Sequence, residues 1–351
     1  MKHQLGVELC VVAESDFELL SRFVALIFNP EPSLVRSWFE FYWRLNPFWN
    51  EAIPRGWLVR SPNKEIIAFT SNIPLPYVIA GQRGVCYATG TIGVHPDWRG
   101  KGISKLVARS FAEQKTPDLL VGCDSGLKAF NLWQSVGMKS LPLAWPSSCP
   151  RVISSHQNWI KAAALKRRVP RRIANGISLI GRLMDRRQAD SSGVVQQTSP
   201  FEPGDSEALL ECRASGSTTY PFRDVNTLNW LYFSAPHIRN NRLVFTARSA
   251  GRLVGFAAFK ILGESLLLLE CRCIDADPSI AARLLAISRD RWRQLGGVSL
   301  FIWPYTPMIE AALLPARKSI RKPMTYVYKT NTAALIEKDW ERTPGDGDIS
   351  L

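Results

Sequence analysis

Apolar and polar positions change period in a regular order over the first 145 residues. Val7 to Val12 is an apolar run of strand length, and Ser15 stands where an N-cap belongs, ahead of a helical pattern reaching about Phe28. Pro30 and Pro32 break that pattern. Ser33 opens a second, aromatic-rich helix through Trp38, Phe41, Tyr42 and Leu45, which ends at Asn46-Pro47. Trp57 to Arg60 and Ile66 to Thr70 read as a strand pair around Pro62-Asn63-Lys64, and Ile73 to Ile79 with Val85 to Val94 as a second pair around Gly81. Ile103 to Gln114 is helical, with Ile103, Leu106, Val107 and Phe111 on one face. A strand from Leu119 to Cys123, a helix from Leu127 to Val136 closed by Gly137, and a strand from Met138 to Ala144 complete the unit. The fold class expected is α/β with a mixed sheet.

The last 150 residues echo this order. Asn229-Trp230-Leu231-Tyr232 before Pro236 parallels Tyr42-Trp43-Arg44-Leu45 before Pro47. Leu243 to Ala247 and Arg252 to Phe259 repeat the strand pair around Ala250-Gly251, followed by an apolar run from Leu266 to Ile274 and a helix from Ala281 to Leu295. The division expected is a first domain over 1–150, a linker over 151–195, a second domain over 196–340 and a tail over 341–351. An unrelated second α/β domain is the alternative.

Composition adds three points. A hydrophobic content of 46% over 351 residues suits packed cores. Residues 151–188 hold ten Lys/Arg against one acid, Asp185, and so carry +9 of the chain's +14. This basic segment mixes apolar residues such as Trp159, Ile160, Ile173 and Ile177 with its charges, a pattern that fits either an anionic membrane surface or a solvated helix pair between domains. No nucleic-acid-reading motif accompanies the charge, so no nucleic-acid partner is expected. The seven cysteines are scattered, and Cys271-x-Cys273 is too tight for a zinc knuckle, so they are read as buried free thiols with neither metal site nor disulfide framework. No signal-peptide pattern and no bilayer-length apolar run stands out, and the location expected is cytoplasmic, with membrane contact at the inner face through 157–188.

The candidate chemistry sits in Thr91-Ile92-Gly93-Val94-His95-Pro96-Asp97-Trp98-Arg99-Gly100-Lys101-Gly102-Ile103-Ser104, where a β-branched run meets a Gly-x-Gly turn and then a helix. Glycines there let the main chain take positive φ and approach a ligand. Successive N–H groups at a helix N-terminus form an anion nest suited to a diphosphate. It is neither a Walker A loop nor a dinucleotide fingerprint, since Lys105 stands where the third glycine would fall.

Val94-x-Pro96-x-x-Arg99-Gly100-x-Gly102-Ile103-Ser104 resembles the acyl-CoA-binding motif of the GNAT acyltransferase superfamily. Ala129-Phe130-Asn131-Leu132-Trp133-Gln134-Ser135-Val136-Gly137-Met138 is similar to that family's A-x-x-x-Y-x-x-x-G-F segment, with Trp133 for Tyr and Met138 for Phe. The resemblance spans about residues 1–145. It implies two GNAT-like domains, the second degenerate, because Asp275-Ala276-Asp277-Pro278-Ser279-Ile280 replaces the glycine loop with carboxylates that repel a diphosphate.

The same resemblance implies acetyl-CoA as co-substrate and a small-molecule amine as acceptor, with an amino sugar or cell-envelope precursor as the analogy. Arg99, Gly100, Lys101, Gly102, Ile103 and Ser104 are then the pyrophosphate contacts, and Ile92, Gly93 and Val94 the pantetheine edge and oxyanion donors. Asn131 and Trp133 carry over as cofactor contacts. The usual tyrosine acid is Trp133 here, and indole releases no proton at neutral pH. Asp124 and Tyr87 are the catalytic candidates, Asp124 reading equally as a helix N-cap. Trp38, Tyr42, Trp43 and Trp49 are read as core before acceptor lining. A non-catalytic CoA-binding or scaffold protein and a Fem-type aminoacyl transferase are the rivals; the intact glycine loop counts against the second.

Overall fold

A computed structural model describes residues 6–123, 127–140, 148–153, 156–166, 173, 193–213, 216–302, 306–313, 317–320, 326–331 and 340–341. In the first half, β1 (Glu8–Val11) leads through a single 3-10 turn into α1 (Phe17–Phe28) and α2 (Pro32–Phe39). Ser15 does not cap α1. The turn is instead closed by Asp16, whose Oδ2 accepts from the Ala13 N–H at 2.9 Å. Asn29, left-handed at φ +65°, and then Pro30 end α1, and Pro32 pre-sets the first turn of α2. That helix widens into a π turn over Glu40–Arg44, in which Phe41, Tyr42 and Trp43 are buried.

Strands β2 (Gly56–Arg60), β3 (Ile66–Ser71), β4 (Ile73–Ile79), β5 (Gln82–Thr89) and β6 (Ile92–Val94) follow. Then come α3 (Ile103–Ala112), β7 (Leu119–Cys123), α4 (Leu127–Ser135) and β8 (Lys139–Ser140). The continuous strand expected from Val85 to Val94 is two strands, because the chain breaks at Gly90-Thr91 and changes sheet.

β9 (Ser148–Ile153), α5 (His156–Lys166) and β10 (Val194–Gln197) lead to the second half. It contains α6 (Ser206–Glu211), β11 (Cys212–Arg213), β12 (Tyr220–Pro221), α7 (Val225–Phe233) and α8 (Pro236–Arg239). After these run β13 (Arg242–Ser249), β14 (Arg252–Leu262), β15 (Ser265–Ile274), α9 (Pro278–Gln294), β16 (Ser299–Phe301), α10 (Pro307–Ala312), β17 (Arg317–Ile320) and β18 (Tyr326–Thr330). Most of the basic segment, 167–172 and 174–192, lies outside the described residues, as does most of the tail.

Three sheets result, ordered β1-β2-β3-β6, β12-β4-β5-β7-β18-β8, and β10-β13-β14-β15-β16-β9-β17, with β11 added on β15. From β13 onward the second half runs antiparallel strands, helix, strand, helix, strand, as β2 to β8 do, but with three strands before its first helix where the first half has five. Two strands cross between the halves. β9, which spans position 150, pairs with β16 and β17 of the second half, and β18 inserts between β7 and β8 of the first.

One large apolar core joins the halves. Trp230 stacks on Phe41 with ring centroids 5.0 Å apart and donates Nε1–H to the Phe41 carbonyl at 2.9 Å. Beside it Glu270, fully buried, accepts from Arg223 Nε at 3.0 and 2.9 Å and is also contacted by Arg272 and the Tyr232 hydroxyl. Burial works to raise the Glu270 pKa, but the two guanidiniums prevail and hold it below the ordinary value. Cys271 and Cys273 are both buried on one face of β15, as the alternation predicts. Among the described residues no helix is long and apolar enough to cross a membrane, and no group of three metal-ligating side chains converges.

Candidate functional site

The site is a fork between β6 and β7. β5 and β7 run parallel and are paired from Cys86–Leu119 to Thr89–Gly122. Beyond Thr89 the chain shifts to the first sheet, and among the described residues β6 pairs with β3 alone. Ser71 fixes the break, its buried Oγ accepting from the Gly90 and Thr91 N–H groups, both at 3.0 Å. Beside it Thr70 Oγ1 and Thr89 Oγ1 lie 3.1 Å apart.

Ladder geometry then decides which way β6 points. His95 N–H donates to the Ile67 carbonyl at 2.8 Å, and Ser71 N–H to the Thr91 carbonyl at 3.0 Å. Hydrogen-bonded and non-hydrogen-bonded pairs alternate in an antiparallel ladder, so Phe69 and Gly93 form the bonded pair between these two. The N–H and C=O groups of Ile92 and Val94 therefore turn away from β3 and into the fork. An extended ligand can pair there as an added strand does. Gly93 is closely packed: a Cβ on it would lie 3.3 Å from Ile27 and Phe28 side-chain atoms at the end of α1, which would have to shift slightly.

After β6 the chain makes one 3-10 turn over Pro96–Trp98, with His95 Nδ1 accepting from the Asp97 N–H at 3.3 Å. Gly100 and Gly102 follow at φ +76° and +77°, in the left-handed region that favours glycine. Gly102 is the N-cap of α3 and brings no side chain to its first amides. Among the described residues the Gly100, Lys101 and Gly102 amides meet no main-chain carbonyl as donors. Four features thus coincide: free N–H groups, the positive end of a ten-residue helix, and two cations. Arg99 Nε donates to the Val94 carbonyl at 3.2 Å, and Lys101 Nζ lies 4.7 Å from the Trp98 ring centroid.

The other sequence candidates scatter. Trp133 is 1% exposed and meets the Phe111 ring edge-on with centroids 5.5 Å apart. Its Nε1 lies under the base of the fork, since a Cβ on Gly122 would sit 3.6 Å from it. Tyr87, two residues before the fork, is 3% exposed, and burial pushes its hydroxyl pKa up. Asn131 is exposed on α4, and Asp124 lies outside the described residues. Trp38, Tyr42 and Trp43 are core, whereas Trp49 is half-buried beneath Arg55, whose guanidinium carbon is 4.2 Å from its ring centroid. Ser71 escaped the sequence reading; its one signal is the polar Ser71-Asn72 pair between two apolar runs.

The equivalent position in the second half is filled by the protein itself. β15 pairs with β16 through Ser265–Leu267, but at Cys273 and Ile274 its edge is taken by β11. Asp275 and Ala276 make the turn at φ +55° and +50°, and Asp277 caps α9 by accepting from the Ser279 N–H at 2.7 Å. Those hydrogen bonds from Ser279 hold the Asp277 carboxyl below its ordinary pKa.

A mixed sheet that splits between β6 and β7, with a glycine turn and a helix N-terminus beside the split, matches the GNAT fold. Solved structures place the chain in that fold. N-myristoyltransferase from Saccharomyces cerevisiae, with bound myristoyl-CoA, superposes with a TM-score of 0.58 at 12% identity over 93% of this chain and 82% of its own. A GCN5-related N-acetyltransferase from Anabaena variabilis gives a TM-score of 0.58 at 10% identity, over 93% and 73% of the two chains. A putative acetyltransferase from Pyrococcus horikoshii gives 0.54 at 12%, over 96% and 94%. No family sequence model and no curated protein sequence matches the chain.

Proposed function

We propose that the protein is an acyl-CoA-dependent N-acyltransferase that moves an acetyl group from acetyl-CoA to a small-molecule amine. One observation carries the reading: a strand edge with its own N–H and C=O groups turned into a fork that leads directly to an open anion nest. A diphosphate at the amides of Gly100 to Ser104, with Arg99 and Lys101 beside it, would place a pantetheine arm along Ile92 to Val94. The Ile92 N–H then faces the thioester carbonyl, where a fixed donor stabilises the developing oxyanion by a few kcal/mol.

The amine attacks that carbonyl carbon, the C–S bond breaks, and the thiolate takes a proton. Trp133 donates a hydrogen bond but releases no proton. Burial makes Tyr87 a weaker acid than a free phenol. Water is therefore the proton donor assigned to the thiolate; the base that receives the amine proton is unassigned, with Asp124 a candidate on sequence alone.

A CoA-binding protein without turnover is the second reading, favoured by Trp133 at the acid's position. Thiol release from acetyl-CoA across a panel of amines separates the two. Amine-dependent release supports the transferase; CoA binding with no release under any amine assigns the second reading.

A further inference from the structure

Tyr87 stands between the fork and a cavity. On β5, Val85 and Tyr87 face the same side as their partners Pro76 and Pro74 on β4. That side opens into a cavity of about 460 Å³ with mostly apolar walls, among them Phe48, Ile53, Pro74, Val85, Tyr87 and Phe222. The Tyr87 ring also packs into the apolar cluster of Phe111, Leu120 and Trp133, which Ile92 joins from the fork. Toward the fork the next residue on this face is Thr89, paired with Gly122 where the strands part. Two residues of strand cover about 7 Å. The opposite face is closed, because Cys86 and Ala88 are 0% and 3% exposed in the main core.

A thioester lying along β6 with its phosphates at Gly100 to Ser104 aims its acyl end at Gly90-Thr91, and beyond them at Thr89 and Tyr87. We propose that Tyr87 sets the acyl length: its ring stops a growing chain after a few carbons and walls it off from the cavity behind. This rests on the acyl-CoA reading of the fork.

The test is the ratio of octanoyl-CoA to acetyl-CoA affinity, measured by calorimetry on the full chain with free CoA as reference. Wild type is expected to favour acetyl-CoA. Tyr87→Ala opens the wall and should move the ratio toward octanoyl-CoA by tenfold or more. Tyr87→Val, β-branched and suited to a strand, should do the same if the alanine variant folds poorly. Tyr87→Phe keeps the ring and the wild-type ratio, and Val85→Trp added to Tyr87→Ala refills the space and restores it. The inference is overturned if CoA binds but the ratio stays put in both the Ala and Val variants, or if wild type already prefers octanoyl-CoA. A changed ratio in Tyr87→Phe overturns it too, by assigning the effect to the hydroxyl. Loss of all CoA binding in wild type instead removes the reading of the fork beneath it.

Discussion

Helices α3 and α9 follow the same order of antiparallel strands and a turn, yet their N-termini are finished in opposite ways. α3 begins at a glycine in the left-handed region and leaves its amides open. α9 begins at Asp277, whose carboxylate occupies the Ser279 N–H, and Pro278 has no N–H to offer. The strand edges differ in the same sense. β6 turns the peptide groups of Ile92 and Val94 away from β3, the Val94 carbonyl accepting from Arg99, whereas β15 is met at Cys273 and Ile274 by β11. One half leaves both a strand edge and a helix end for a ligand, and the other satisfies both from its own chain. Among the described residues the two halves thus differ in where their hydrogen bonds are completed.

The sharpest way to break this contrast is to give the first half the second half's solution. Gly102→Asp puts a side chain at φ +77° and a carboxylate into the nest. CoA affinity is expected to fall about 100-fold or more, roughly 3 kcal/mol by titration calorimetry. The reverse change, Asp277→Gly, should create no CoA binding, because β11 still covers the edge of β15; a second site appearing there would end the comparison.

A smaller effect is expected at Ser71→Ala. It leaves the half-buried Gly90 amide and the buried Thr91 amide without their acceptor and should cost about 1–2 kcal/mol in urea unfolding. Unchanged stability would show that the break does not depend on that hydroxyl.

The smallest concerns the self-capped end. Asp277→Ala should cost about 0.5–1 kcal/mol at neutral pH. The folded carboxyl titrates below its unfolded counterpart, so its contribution is complete above about pH 4 and disappears as pH falls through the lowered folded value. Wild-type and variant stabilities should therefore converge in acid; a constant gap would exclude the charge as the cause.

Much of this was legible in the chain because its causes are local. Gly100 and Gly102 announce positive φ and Pro96 ends a strand, whereas the helix expected from Ala281 begins at Pro278 with Asp277 as its cap, where the sequence alone pointed only to charge repulsion. The break at Gly90-Thr91 was not legible, since Val85 to Val94 reads as one β-branched run and what splits it is a hydroxyl contributed from β3. The cover on β15 was equally hidden. β11 is two residues long, and nothing in Cys212-Arg213 signals a partner some sixty residues ahead. The role of Trp133 needed three dimensions: at the tyrosine's position in sequence, its ring turned out to be core beneath the fork.

The crossing of β9 and β18 has a consequence in time. β7 pairs early with β5 but acquires its second neighbour only when Tyr326–Thr330 arrive, some two hundred residues later. During synthesis the first half emerges early with one flank of β7 bare, an unpaired edge of the kind that invites wrong partners. Pairings between residues some two hundred positions apart are slow to form. The fork is therefore among the last parts of the molecule to be completed, and neither half can be finished without the other.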